Sequence, residues 1–250
     1  MAFSAKDVER VAELISNASY LVAFTGAGIS TESGIPDYRG PEGVWTLRDK
    51  GLKPKLPTKP MDQIEPNDGH YALVELYNMG ILKYVISQNV DNLHIKSGIP
   101  QDILAELHGN HALMKCLSCD ARFSKEEVGW DDLVCGNGYR TQKPVSNQPA
   151  CPECSGRLIS SVVNFGDPMP EREIAESARQ SGKCDLMLVV GSSLSVSPAN
   201  QFPIIAKSRG AKIIIINMGE TQLEEIADIR IEAKSGEFLS KVLDKVKMNK

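Results

Sequence analysis

Three short apolar runs in this chain each end in small or polar residues. Tyr20–Phe24 leads into Gly26-Ala27-Gly28, Asp185–Val190 into Gly191-Ser192-Ser193, and Lys212–Ile216 into Asn217. A strand buried on both faces reads as a continuous apolar run of this length, whereas a half-buried strand alternates. Further strands are expected at Ile81–Ser87 and Asp228–Ile231. Helices are predicted after Ser4, near Gly69–Met79, Glu171–Ser181 and Ala199–Ser208, and near Gly236–Val246 at the end. The first has the spacing of a capping box, Ser4 to Asp7, followed by Val8, Val11, Leu14 and Ile15 at helical intervals. Strands that alternate with helices imply a parallel sheet with helices on both faces, an α/β Rossmann-like fold. Such sheets bind ligands just beyond the carboxyl ends of their strands.

The alternation stops between residues 112 and 160. This segment holds five of the six cysteines, few long apolar runs, and a polar loop from Gly136 to Pro149. We read it as a small module inserted into a discontinuous domain formed by residues 1–111 and 161–250. Two Cys-x-x-Cys pairs, Cys116/Cys119 and Cys151/Cys154, can supply four thiolates to a tetrahedral zinc ion. The 31 residues between the pairs exceed the usual ribbon spacing, which an inserted loop explains. Four protein ligands close the coordination sphere, so the zinc is expected to be structural and a zinc hydrolase is disfavoured. Cys135 is an odd thiol in the same loop, and Cys184 reads as core packing.

The glycines of Gly26-Ala27-Gly28 allow positive φ and a close approach of backbone N–H groups to a phosphate. The spacing departs from the dinucleotide fingerprint, because Thr31 takes the third glycine position and the next glycine is Gly34. Gly191, Ser192, Ser193 and Asn217 fall at strand ends on the same expected edge. Asn217 can bond ribose hydroxyls. Gln88-Asn89-Val90-Asp91 also follows a strand, where alternate polar side chains can converge on one ligand; as a plain alternative they cap a loop. His108, between Leu107 and Gly109, has a side chain suited to taking a proton near neutral pH. His70, His94 and His111 are read as structural. Residues 35–66, rich in Pro and Gly, are expected to form an irregular functional loop.

A formal charge of -4 argues against salt-driven contact with nucleic acid. Lys50, Lys53, Lys55 and Lys59 read as a solvated loop. No apolar run is long enough to span a bilayer, and the first residues lack the pattern of a signal peptide. A reducing compartment, the cytoplasm, is the expected location, where paired cysteines read as metal ligands before disulfides.

From about Ala18 to Leu239 the chain resembles the sirtuins, the NAD-dependent protein-lysine deacylases. The resemblance rests on Gly26–Ser30, Gly34–Arg39, Gln88–His94, His108-Gly109, the cysteine pairs, Val162–Gly166 and Gly191–Ser193. The stretch Arg39–Thr46 looks most like the branch of the nuclear sirtuins six and seven. The resemblance implies NAD as co-substrate. Its contacts would be Gly26, Ala27, Gly28, Thr31, Asp37, Tyr38, Arg39, Trp45, Gln88, Asn89, Asp91, His108, Gly191, Ser192, Ser193, Asn217, Met218 and Ser235. It implies that Asn89 and Asp91 hold the nicotinamide end and that His108 is the general base. The acyl oxygen of an acylated lysine attacks the ribose as nicotinamide leaves, and free lysine and O-acyl-ADP-ribose result. Val162, Val163, Asn164, Phe165 and Gly166 match the segment that clamps an acylated-lysine peptide. Asn164 stands where many members carry a bulky aromatic, and Asp167 replaces the usual Glu. The Tyr-x-x-Arg pair of members acting on acidic acyl groups is missing after Trp45, so acetyl or longer fatty acyl groups are expected. Two other classes use the same features: a protein mono-ADP-ribosyltransferase and a non-catalytic NAD-binding module. A pure binder has no need of His108.

Overall fold

A computed structural model describes residues 3–249. Helix α1, Ala5–Asn17, starts at the expected capping box: the Ser4 hydroxyl accepts from the Asp7 N–H, and the Asp7 carboxylate accepts from the Ser4 N–H at 2.8 Å. Strand β1, Leu21–Thr25, follows. The loop region then contains the short helix α2, Val44–Asp49, and a 3-10 turn at Met61–Gln63. Helix α3, Asp68–Asn78, leads to β2, Leu82–Ser87. After α4, Leu93–Ser97, comes β3, Leu104–Glu106. Strands β4, Leu113–Cys116, and β5, Arg122–Ser124, precede the one-turn helix α5, Asp132–Cys135, and β6, Leu158–Ser160. The chain then alternates regularly: α6, Glu171–Ser181; β7, Leu186–Val190; α7, Gln201–Ser208; β8, Lys212–Ile216; β9, Ile229–Ile231; and α8, Ser235–Met248.

Six strands form one parallel sheet in the order β3-β2-β1-β7-β8-β9. Successive side chains of a strand point to opposite faces, and here both faces are buried. Leu21, Ala23, Leu188, Val190, Ile214 and Ile216 pack with Val11 and Ile15 of α1, Leu73 of α3 and Phe238 of α8. Val22, Phe24, Met187, Val189, Ile213 and Ile215 pack on the other face with Ile174 of α6 and Phe202 of α7. This is why the strands read as unbroken apolar runs. The second sheet, β5-β4-β6, is antiparallel and carries its own core of Met114, Trp130, Cys135 and Leu158.

From β1 the chain builds outward through β2 and β3, then returns to lay β7 on the other side of β1. The carboxyl ends of β1 and β7 therefore flank the point where the strand order reverses, and a crevice opens there. Among the described residues no helix is long and apolar enough to cross a membrane.

Candidate active site

The two glycine turns at that crevice fit into each other. A Cβ on Gly26 or Gly28 would lie 2.8 or 2.7 Å from backbone atoms of Gly191, and one on Gly191, at φ +63, would lie 2.2 Å from the Ile29 nitrogen. The Gly28 N–H donates to the Gly191 carbonyl at 2.8 Å and the Gly26 N–H to Val190 at 3.0 Å. This corrects the sequence expectation: both N–H groups are spent on the neighbouring strand's turn, so the glycines first serve close backbone packing. Residues Ala27–Ser33 continue as a 3-10 helix. Ala27 opens it, so its N–H has no intrahelical acceptor and is the one suited to a ligand.

Gln88, Asn89 and Asp91 leave the end of β2 together. Asp91 is buried and doubly held, by the Ser30 hydroxyl at 2.6 Å and the Leu93 N–H at 3.0 Å. The Asn89 amide donates to Ser30 Oγ at 3.2 Å, and Gln88 reaches Ser192 Oγ at 2.9 Å. A carboxylate and an amide are thus fixed side by side at the crevice floor, tied to both glycine turns. Ser30 had no role assigned from the sequence, because its partner lies 61 residues away.

His108 sits just past β3. Its Nδ1 lies 2.7 Å from the Gln88 carbonyl oxygen, which can only accept. Nδ1 therefore carries the proton and Nε2 holds the lone pair. Burial pulls the imidazole pKa below its ordinary value, against the opposing pull of the Gln88 carbonyl. A neutral ring with a free Nε2 is a ready base at pH 7. The two buried histidines differ. His94 Nε2 pairs with Thr25 Oγ1 at 2.8 Å, and burial lowers its pKa to about 4. His70 is likewise held well below the usual range by burial. The part-buried His111 is held as His108 is, its Nδ1 donating to the Val90 carbonyl at 2.8 Å, but it does not line the cavity at the crevice.

The loop after Gly34 folds over the crevice. Asp37 accepts from the Gly40 N–H at 3.0 Å, and the Trp45 N–H returns to the Tyr38 carbonyl at 2.9 Å. Burial raises the Asp37 pKa despite that bond. The Arg39 guanidinium stacks 4.7 Å from the Trp45 ring, Tyr38 lies 4.9 Å away, and Phe165 faces the same ring at 6.2 Å. Opposite, the Val163 N–H donates to the His108 carbonyl at 2.9 Å, so the segment 162–166 starts on the base's own backbone. On the β8 side, the Asn217 side-chain amide donates to Thr221 Oγ1 at 3.0 Å, while the Asn217 backbone carbonyl accepts from Arg230 at 2.8 Å.

These groups line one cavity of about 640 Å³. It brings together Gly26, Ala27, Gly28, Asp37, Tyr38, Arg39, Trp45, Gln88, Asn89, Asp91, His108, Val162–Gly166, Gly191, Ser192, Ser193 and Asn217. Thr31, Met218 and Ser235 lie apart from it, in a recess of about 20 Å³ that shares Gly28, Asp37, Gly191 and Asn217 with the cavity. Pro57, Met61, Met169 and Ser195 also line the cavity and had not been singled out. Their loops carry no periodicity that would place them there. An extended ligand with two phosphates and two riboses suits a crevice at a strand-order reversal with a glycine cradle and small residues along it. The residues present therefore fit NAD.

The Sγ atoms of Cys116, Cys119, Cys151 and Cys154 lie within 4.8 Å of one another. Four bonds of about 2.3 Å in a tetrahedron place sulfurs about 3.8 Å apart. Cys116–Cys154 and Cys119–Cys151 stand at 3.5 and 3.7 Å, and the Ser118 N–H donates to Cys116 Sγ at 3.3 Å. The set fits a closed structural zinc site. Cys135 is buried in the module core and is not among the four.

A parallel α/β sheet with a nucleotide crevice, a neutral histidine over it and a four-thiolate module defines an NAD-using enzyme with structural zinc. The Sir2 family model matches residues 52–198. An NAD-dependent protein deacetylase of Thermodesulfovibrio yellowstonii is 39% identical, over 97% of this chain and 96% of the relative. The NAD-dependent protein deacylase 2 of Archaeoglobus fulgidus is 37% identical, over 96% of each. The deacetylase SRT1 of Arabidopsis thaliana is 38% identical over 96% of this chain, which spans about half of that relative, 49%. Among solved structures, Sir2Af2 bound to a myristoylated histone peptide superposes with a TM-score of 0.69 at 34% identity, covering 98% of both chains. A Sir2–p53 peptide–NAD+ complex does so with a TM-score of 0.73 at 31% identity, covering 96% of this chain and 98% of that one. The chain belongs to the Sir2 family, the sirtuins.

Proposed function

We propose that this chain is an NAD-dependent protein-lysine deacylase in which His108 is the general base. The observation that carries the reading is the His108 tautomer: Nδ1–H is held by the Gln88 carbonyl at 2.7 Å, and Nε2 is left for a proton from the ligand. When bound, NAD supplies an ADP-ribosyl group that the acyl oxygen of the substrate lysine accepts as nicotinamide leaves. Asn89 and Asp91 orient the nicotinamide end, and their fixed geometry makes positioning the main source of rate. Gly26–Gly28, Thr31, Asp37–Arg39, Trp45, Gly191–Ser193, Asn217, Met218 and Ser235 hold the remainder. Val162–Gly166 clamps the peptide by main-chain pairing, which tolerates many sequences. The complexes of related enzymes with a p53 peptide and a myristoylated histone peptide support acylated-lysine proteins as substrates. Ile35, Val44, Met61 and Met169 give the cavity an apolar lining that suits acetyl or longer fatty acyl groups.

Three finer readings accompany this one. Residues 112–160 form a zinc module inserted between two parts of the NAD-binding domain, 1–111 and 161–250. The Arg39–Thr46 stretch is read as most like the branch of sirtuins six and seven. The four clustered free thiols favour a reducing compartment, the cytoplasm.

His108→Ala should lower deacylation by at least about a hundredfold, with zinc content and melting temperature unchanged. A folded variant that keeps turnover would overturn the role.

A further inference from the structure

Asn110 is completely buried, and its polar atoms join three separate segments of the chain. Its backbone N–H donates to Ser161 Oγ at 3.0 Å, and the same hydroxyl donates to the Asn110 carbonyl at 2.7 Å. Its side-chain amide donates to Asn92 Oδ1 at 2.8 Å and to Glu106 Oε1 at 2.7 Å, while its Oδ1 accepts from the Ala112 N–H at 2.9 Å. Each partner adjoins a functional segment. Asn92 follows Asp91, Glu106 lies two residues before His108, and Ser161 is the root of the Val162–Val163 clamp. Asn92 is moreover held in the left-handed region, at φ 66, which among residues with a side chain Asn and Asp enter most readily. The bond from Asn110 meets the side chain of that turn.

We propose that Asn110 is a positioning residue that couples the nicotinamide end of the site to the acyl-lysine clamp. The inference rests on the deacylase reading. Buried side-chain networks with every member bonded have one favoured arrangement. A shift of the Asp91–Asn92 turn is therefore transmitted through Asn110 to Ser161, and a shift of the clamp returns the same way. Coupling between two ligands is reciprocal. Occupation of the NAD crevice should tighten peptide binding, and the peptide should tighten NAD binding by the same factor. The zinc site lies outside this network and should not respond.

The test is calorimetry of an acetyl-lysine peptide with and without a non-cleavable NAD analogue, on wild type, Asn92→Gly, Asn110→Ser and the double variant. Asn92→Gly removes only the side-chain contact and keeps a residue that accepts positive φ, so it retains the fold even where Asn110→Ser does not. The wild type should bind peptide about 5- to 100-fold more tightly with the analogue present. Either variant should lose most of that factor, show a lower kcat, and at saturating peptide need more NAD by the factor lost. The double variant should lose no more than the worse single one. A folded Asn92→Gly with wild-type coupling and kcat would overturn the proposal, as would a wild type that binds both ligands independently. Failure of the deacylase reading looks different: the wild type would bind no acylated peptide and release no nicotinamide with it.

Discussion

Glu106 is a carboxyl group that the fold holds against its solvation preference. It ends β3, is 7% exposed, and has its pKa raised from 4.5 to about 7. Burial is the main cause. The Asn110 amide and the Arg122 guanidinium pull the other way, and Asp91 and Glu173 add to the rise. A carboxyl whose folded pKa is raised destabilises the fold once it must ionise. The penalty is absent below pH 4.5, grows as pH rises towards about 7, and is constant above. Each unit is worth about 1.4 kcal/mol, so the full penalty is about 3 kcal/mol. Glu106→Gln keeps an acceptor for Asn110 and removes the charge. Urea unfolding of both proteins should therefore show the variant gaining on the wild type by about 2–3 kcal/mol between pH 5 and pH 8.5. Other groups titrate alike in both chains and cancel in the difference. A stability difference that does not change with pH would refute the argument, and one that grows towards low pH would reverse its sign.

Other expectations follow from the same geometry. Because burial lowers the His108 pKa, kcat/KM should rise with pH along a limb centred below 6.5 and be flat through neutrality; a limb centred above 7 would contradict a neutral base. Removing zinc with a chelator should disorder the small sheet and abolish activity, and added zinc should restore both, read by circular dichroism and turnover. Gly191→Ala forces a left-handed alanine, at about 1–2 kcal/mol, into contact with the Ile29 backbone, at about 1–3 kcal/mol more. Its melting temperature should fall by roughly 5 °C or more, and an unchanged melt would show that the turns can separate.

Much of this was legible in the chain itself. Runs such as Lys212–Ile216, short and rich in isoleucine, read as a strand buried on both faces, and β8 has those very bounds. The cysteine pairs carry their own chemistry, and they meet as a four-sulfur cluster. Of the short elements β9 was legible, as the expected strand at Asp228–Ile231, and others were not. The α2 helix, Val44–Asp49, has no buried residue, so no apolar period announces it. The β3 strand is three residues long and α4 five. The contacts that organise the site were also hidden, since Ser30 finds Asp91 and Asn110 finds Asn92 and Ser161 only after folding. The glycines were found for a partial reason. Their place beside the cofactor crevice was clear, but their packing against Gly191 requires the strand order, which no local pattern contains.

The central claim is that the cavity moves an acyl group from lysine onto ADP-ribose. It is tested most directly by mass spectrometry of the zinc-loaded protein with NAD and acetyl- and myristoyl-lysine peptides. Nicotinamide, free lysine and O-acyl-ADP-ribose should appear in equal amounts. ADP-ribose attached to protein with no deacylated peptide would contradict the account in favour of transfer to a protein nucleophile. No nicotinamide from either peptide would contradict it as well.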